Sequence, residues 1–187
     1  ENRPVDVADF ALVNTDLTRT LCECIRATRR NIPLILASST QAEQDNPYGQ
    51  SKRAAEQVVE AFVNETGNRA VIYRLPGFFG KWCKPNYNSV VATFCHNIAR
   101  ELPIHINDAT KTLQLVYVDD VVDHFLRFID ESIDQHKFLS VAGPLVTGRK
   151  PKSITVRTGL GDQRFAKVTP QYTITLGELG RQISAFQ

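Results

Sequence analysis

The order of two kinds of segment constrains this chain most. "IPLILASS" (residues 32–39) and "RAVIYRL" (69–75) are short, continuous apolar runs, the pattern of strands buried on both faces. Between them, "PYGQSKRAAEQVVEAFVNETGN" (47–68) reads as a long helix closed by Gly67. Ahead of the first strand, "TDLTRTLCECIRATRRN" sets Leu17, Leu21, Cys24 and Ile25 near helical spacing. It ends in a basic turn, which suits a helix C-terminus. Helix, strand, helix, strand predicts an α/β fold with a parallel sheet and crossover helices.

The pattern loosens afterwards. "PGFFGKWCKPNYNS" (76–89) reads as a loop, followed by an amphipathic helix in "VVATFCHNIARE" and a short strand in "LQLVYV". Asp120 of the Asp119-Asp120 pair is expected to cap the next helix, "VVDHFLRFIDES", rather than to bind metal. "KFLSVAG" (137–143) is expected to be a strand. Thr175 and Glu178 have capping-box spacing for a final helix through about Phe186. Residues 143–173 are basic, with Asp162 their one acid, and read as a solvated face rather than an anion site.

Composition narrows the class. At 187 residues, 42% hydrophobic and 22% charged, the chain has enough apolar side chains for one substantial core. No apolar run reaches the roughly 18 residues of a membrane span. A net charge of +2 supplies no general attraction to nucleic acid or to an anionic membrane. Cys22, Cys24, Cys83 and Cys95 lack zinc-ligand spacing and are expected to be reduced, buried thiols; the four histidines share no spacing.

The chemistry concentrates in "SSTQAEQDNPYGQSK" (38–52). Tyr48 and Lys52, four apart on the expected helix, share a face one turn apart. A free phenol has a pKa of about 10 and carries protons poorly at neutral pH. A neighbouring ammonium is expected to pull that value down and make Tyr48 a usable acid or base for hydroxyl–carbonyl interconversion. Ser39, ending the buried strand, is placed to bond the same substrate oxygen, at the strand end where open α/β sheets bind ligands. Tyr and Lys at this spacing also occur on ordinary surface helices; the strand, turn and helix around them favour a site.

These residues resemble the Ser-Tyr-Lys site of the short-chain dehydrogenases/reductases, in the extended, NAD-dependent epimerase/dehydratase branch, over roughly residues 1–140. "NTDLT" is similar to the branch's Asn-x-x-Gly-Thr helix motif with Leu17 in place of glycine, and "YRLPGFFG" to its Arg-x-x-Asn-x-x-Gly strand end with Gly77 in place of asparagine. "LVYVDDVVD" resembles the segment leading into its substrate-side helix. Within the branch, "NRP", "QAEQDNPYGQSK", "RLPGFFGKWCKPNYNSVVATFCHNIA" and "ITLGEL" resemble the capsular-polysaccharide reductases of UDP-2-acetamido-2,6-dideoxy-hexos-4-uloses, which lead to UDP-N-acetyl-L-fucosamine.

The resemblance implies a partial Rossmann-like, doubly wound parallel sheet in residues 1–80. It implies a small substrate-binding α/β lobe over 81–187, with 113–142 returning in part to the main sheet. It implies catalysis by Ser39, Tyr48 and Lys52. Asn14, Tyr48, Lys52, Leu75, Pro76 and Gly77 would face NADPH (or NADH), and Thr40, Lys81, Asn86 and Asn88 a UDP-sugar. The loop around Lys81, Lys84, Asn86, Tyr87 and Asn88 carries the cations and amides that a diphosphate and a uracil take, and would equally serve as solvated loop. Arg74 would touch substrate or be pinned to a carboxylate. A cytoplasmic homodimer, paired through the family's two helices, is implied as well.

Both a glycine-rich pyrophosphate turn before the first strand and a C-terminal cupin-like domain belong to that pattern. The sequence, which contains no methionine, is therefore expected to be a piece of a longer protein. Reduction of a 4-keto sugar is the leading expectation. A UDP-sugar epimerase or dehydratase is the alternative, though Thr40 after Ser39 disfavours a dehydratase; a non-catalytic cofactor-binding homologue is the third.

Overall fold

The computed structural model describes residues 4–134 and 164–186. Strands β1 (Leu34–Ser39) and β2 (Ala70–Leu75) lie parallel, in a register that sets Ser38 beside Arg74 and Ser39 beside Leu75. The short β5 (Phe165–Ala166) extends this sheet in parallel on the far side of β2. Alternation along β2 explains why its sequence is continuously apolar. Ile72 joins Cys22 and Ile25 of α2 (Leu17–Thr28) and Val59 and Phe62 of α3 (Pro47–Thr66) on one face. Val71, Tyr73 and Leu75 meet Val121, Phe125 and Phe128 of α5 (Val118–Asp134) on the other. Helices therefore cover both faces of a parallel sheet, as the alternation of segments predicts.

Local chemistry sets the ends of α3. The side chain of Asn46 accepts from Gly49 N at 2.8 Å, Pro47 occupies the first turn, and Gly67 closes the helix at a left-handed φ of 72°. The N-terminal helical region begins earlier than the sequence pattern indicates. A turn at Ala8–Phe10 (α1) runs into a π-helical segment, Ala11–Asp16, and then α2.

A second sheet follows Pro76. Residues 76–89 are not all loop, because Gly77–Phe79 forms β3, which pairs in parallel with β4 (Thr112–Tyr117). β4 in turn pairs antiparallel with β6 (Tyr172–Thr175). Helices α4 (Val90–Ile98) and α6 (Leu176–Ser184) pack Phe94, Ile98 and Leu179 against this sheet. Thus β4 belongs to the second sheet, and within 113–134 it is α5 that packs on the main one. Thr175 caps α6 by accepting from Glu178 N at 3.2 Å. Asp120 does not cap α5: strand β4 passes directly into the helix, and both acids lie in its first turn, where they favour the helix dipole.

Strands β5 and β6 were not expected, since each is short and lies within or beside the basic stretch that carries little pattern. The strand expected in "KFLSVAG" lies outside the described residues. All four cysteines are free, but only Cys22 is buried; Cys24 and Cys95 are exposed and Cys83 is intermediate. No described helix is long and apolar enough to cross a membrane.

Candidate active site

Ser39 ends β1, is buried, and accepts from the Gln41 amide at 3.1 Å, which starts the 3-10 turn Thr40–Glu43. That turn and the Asn46 cap deliver the chain into α3 with Tyr48 in its first turn. The Ser39 hydroxyl lies close enough to the Tyr48 phenol to favour its ionised form. One turn on, Lys52 Nζ donates to Ala37 O at 3.0 Å and stands 5.9 Å from the Tyr48 ring centroid. The structure therefore gathers Ser39, Tyr48 and Lys52 at the C-terminal end of β1.

Asn14 joins them from the π-helical segment. Its Nδ2 donates to Ser51 Oγ at 3.0 Å, and that hydroxyl donates to the Tyr48 carbonyl at 2.8 Å. Thr15 Oγ1 donates to Ser51 O at 3.1 Å, and Phe10 packs its ring 5.7 Å from that of Tyr48. A π-helical turn, which recurs at functional sites, brings these groups onto the turn of α3 that carries Tyr48 and Lys52.

The electrostatics differ from the expectation. Burial pushes the Tyr48 phenol above its ordinary value, and the Ser39 hydroxyl opposes it in part; Lys52 is not among the causes. Burial pushes Lys52 below its ordinary value, opposed by the Glu56 carboxylate. The lysine's charge is turned toward Ala37 and Glu56 rather than spent on the phenol. Tyr48 therefore keeps its phenolic proton at physiological pH.

An apolar cleft of about 370 Å³ is walled by Ala37, Leu75, Phe78, Phe79, Val118 and Phe125 and reached by Lys81 and Trp82. Ser39, Tyr48 and Lys52 do not line it, and Ala37, whose carbonyl Lys52 meets, connects it to them. Leu75 is thus brought to the cleft, and Pro76 and Gly77 follow it into β3. A Cβ on Gly77 would stand 3.2 Å from Leu115 Cδ2 and 3.3 Å from Gln114 O. β3 lies so close on β4 that a side chain there requires its neighbours to give. Thr40 is exposed at the head of the 3-10 turn. Lys81 is exposed and lies 3.9 Å from Asp119 Oδ2. Asn86, at a left-handed φ of 55°, donates its amide to Thr93 Oγ1 at 2.9 Å. Asn86 and Asn88 are both exposed and line neither this cleft nor a second of about 450 Å³ around Trp82, Cys95 and His96.

Arg74 is pinned. Its Nε and Nη2 meet Glu56 Oε1 and Oε2 at 2.9 and 2.7 Å, and its Nη1 meets Glu43 Oε1 at 2.9 Å. Glu56 escaped the sequence reading. The signal was present: it stands four after Lys52, on a helix face that is otherwise Ala55, Val59 and Phe62, where a carboxylate must find partners.

Residues 2–142 match the model of the NAD dependent epimerase/dehydratase family. The chain is 41% identical over 186 residues to the UDP-2-acetamido-2,6-beta-L-arabino-hexul-4-ose reductase of Pseudomonas aeruginosa. That match covers 100% of this chain and 43% of the relative, so the chain spans less than half of that protein's length. Among solved structures, the capsular polysaccharide assembling protein CapF of Staphylococcus aureus is similar at a TM-score of 0.71 and 36% identity, over 90% of this chain and 40% of that one. A UDP-glucuronic acid 4-epimerase of Bacillus cereus, in complex with UDP-glucuronic acid and NAD, shares the fold. It aligns at a TM-score of 0.64 and 13% identity, over 92% of this chain and 50% of that one.

Proposed function

The chain belongs to the NAD dependent epimerase/dehydratase family, and on that premise we propose that its protein is a nicotinamide-dependent reductase of the 4-keto group of a UDP-linked deoxy amino sugar, supplying precursors of a capsular or surface polysaccharide. The observation that carries the reading is the half-buried Tyr48 phenol, held toward its protonated form, close to Ser39 and one turn from Lys52 at the end of β1. The 41% identity to a UDP-sugar 4-keto reductase supports the substrate class.

The residues present fit such a cofactor. Lys52 has three N–H donors and gives one to Ala37, which leaves two for a ribose diol, and the cleft offers an apolar wall for a flat ring. When bound, reduced nicotinamide supplies the hydride that the carbonyl carbon accepts. Tyr48 gives its proton to the carbonyl oxygen, and Ser39 hydrogen-bonds that same oxygen and orients it. Lys52 grips the ribose, Leu75, Pro76 and Gly77 border the ring, and Asn14, through Ser51, steadies the turn that carries Tyr48. Thr40, Lys81, Asn86 and Asn88 are proposed as the sugar-nucleotide side, with NADPH as the reductant.

Division into a cofactor part over 1–80 and a mostly substrate-binding part over 81–187 is proposed, with the second sheet opening at Gly77 and α5 and β5 returning to the first. A homodimer through α2 and α3 is proposed from Leu17 and Leu21, exposed one turn apart on α2. A cytoplasmic site of action is proposed from the substrate class and from four free thiols.

Incubating the whole protein with keto sugar and stoichiometric NADPH tests the reading. A reductase consumes reductant in step with product. Sugar conversion without net consumption would instead support the epimerase or dehydratase reading, and cofactor binding with no conversion a non-catalytic one.

A further inference from the structure

We propose that Glu56 is a positioning residue for the reduction, a role that rests on the functional reading of Ser39, Tyr48 and Lys52. Its side chain is 2% exposed and its oxygens are filled from three directions: Ser38 Oγ at 2.5 Å, and Arg74 Nε and Nη2 at 2.9 and 2.7 Å. The remaining Arg74 nitrogen reaches Glu43 on the 3-10 turn. One carboxylate–guanidinium pair thus ties α3, β1, β2 and the 3-10 turn together. Its members border the site along the chain: Ser38 precedes Ser39, Arg74 precedes Leu75, and Glu56 follows Lys52 by one turn.

Stability alone does not account for this arrangement. Well-packed apolar side chains in place of a buried ion pair commonly hold a fold as well or better, and the contribution assigned to this pair is orientation. Here the orientation is that of the Lys52 turn against the end of β1. Glu56 also acts on charge. Around Lys52 stand Tyr48 and Glu56 on α3 and Ser38, Ser39 and the Ala37 carbonyl on β1. Arg74 on β2 and Glu43 on the 3-10 turn belong to the same paired network. Glu56 is the carboxylate that favours the Lys52 ammonium against burial.

The test compares wild type, Glu56→Gln and Ser38→Ala in the whole protein with NADPH and keto sugar. It reads kcat and KM per active site counted by cofactor binding. It also follows the pH dependence of Lys52 reductive methylation, by peptide mass spectrometry. Glu56→Gln is expected to lower kcat about tenfold or more, because small displacements of reacting groups are costly. Substrate KM should change by less than about twofold. The Lys52 methylation curve should move to lower pH as the amine loses its carboxylate. Ser38→Ala, which removes one bond, should lower kcat by about threefold. Unchanged kcat per site and an unmoved methylation curve, with only thermal stability reduced, overturn the proposal. Should Glu56→Gln fail to fold, unchanged kcat and an unmoved curve in Ser38→Ala overturn it equally. The methylation curve needs no turnover. A curve that moves in a protein inactive on keto sugars therefore supports the hold of Glu56 on Lys52 while rejecting the functional reading.

Discussion

The ammonium of Lys52 donates to the carbonyl oxygen of Ala37 at 3.0 Å, bridging the second turn of α3 to the last turn-out of β1. Burial presses the lysine toward neutrality, and the Glu56 carboxylate opposes it. This bridge fixes the turn of α3 that carries Lys52 against β1.

Replacing Tyr48 by Phe keeps the ring that packs on Phe10 and removes the proton. Turnover of the whole protein on a UDP-linked keto sugar should fall by about a hundredfold or more, the usual worth of a general acid. Substrate KM should stay within about threefold. Nicotinamide absorbance follows the rate, and unchanged turnover sinks the assignment.

Lys52→Met removes both the bridge to Ala37 and two donors for a ligand. The KM for nicotinamide cofactor should rise by about tenfold or more, with a loss of about 1 kcal/mol in stability from the missing hydrogen bond. Cofactor titration and urea melts measure the two separately. An unaltered cofactor KM rejects the ribose contact.

The pH dependence follows from the two opposite shifts. Tyr48 is raised, so its proton is held through neutral pH and is lost only above its ordinary value of about 10. Lys52 is lowered, so its charge is lost below its ordinary value of about 10.4. As pH rises, cofactor affinity should weaken first and proton donation fail later. Ser39→Ala removes the one influence that lowers Tyr48 and should move the Tyr48 limb of kcat/KM upward. Profiles of kcat/KM for each substrate, which report the free enzyme, check the order.

Gly49 sits in the first turn of α3 beside Tyr48. A Cβ there would stand 2.2 Å from Gln41 O and 2.6 Å from Gln44 O, both backbone atoms of the 3-10 turn and the segment after it. Gly49→Ala should therefore force the turn off the helix, cost about 2 kcal/mol or more, and lower kcat by separating Ser39 from Tyr48. Thermal melts and kinetics report both. A melting temperature equal to wild type contradicts the contact.

Much of the site's address was legible in the chain. Asn46-Pro47 announced the start of α3 and Gly67 its end, because caps depend on groups only a few residues apart. β3 was not legible, since three residues inside a Pro- and Gly-rich stretch carry no periodicity, and only pairing with β4 makes them a strand. Asp120 read as a cap because a helix pattern follows it. The strand running straight into α5 left no non-helical residue for the cap to occupy.

By itself the sequence determined the parallel order of strands and helices, the closure of α3, and the one-turn spacing of Tyr48 and Lys52. All of these follow from periodicity and near neighbours. Only the tertiary structure decided that Glu56 is shared between Ser38 and Arg74, each 18 residues away along the chain, and that Tyr48 keeps its proton more firmly than a free phenol. Desolvation and charge pairing are set by groups that folding gathers from distant positions. A local pattern can therefore name the acid, while the packing around it sets how tightly that acid holds its proton.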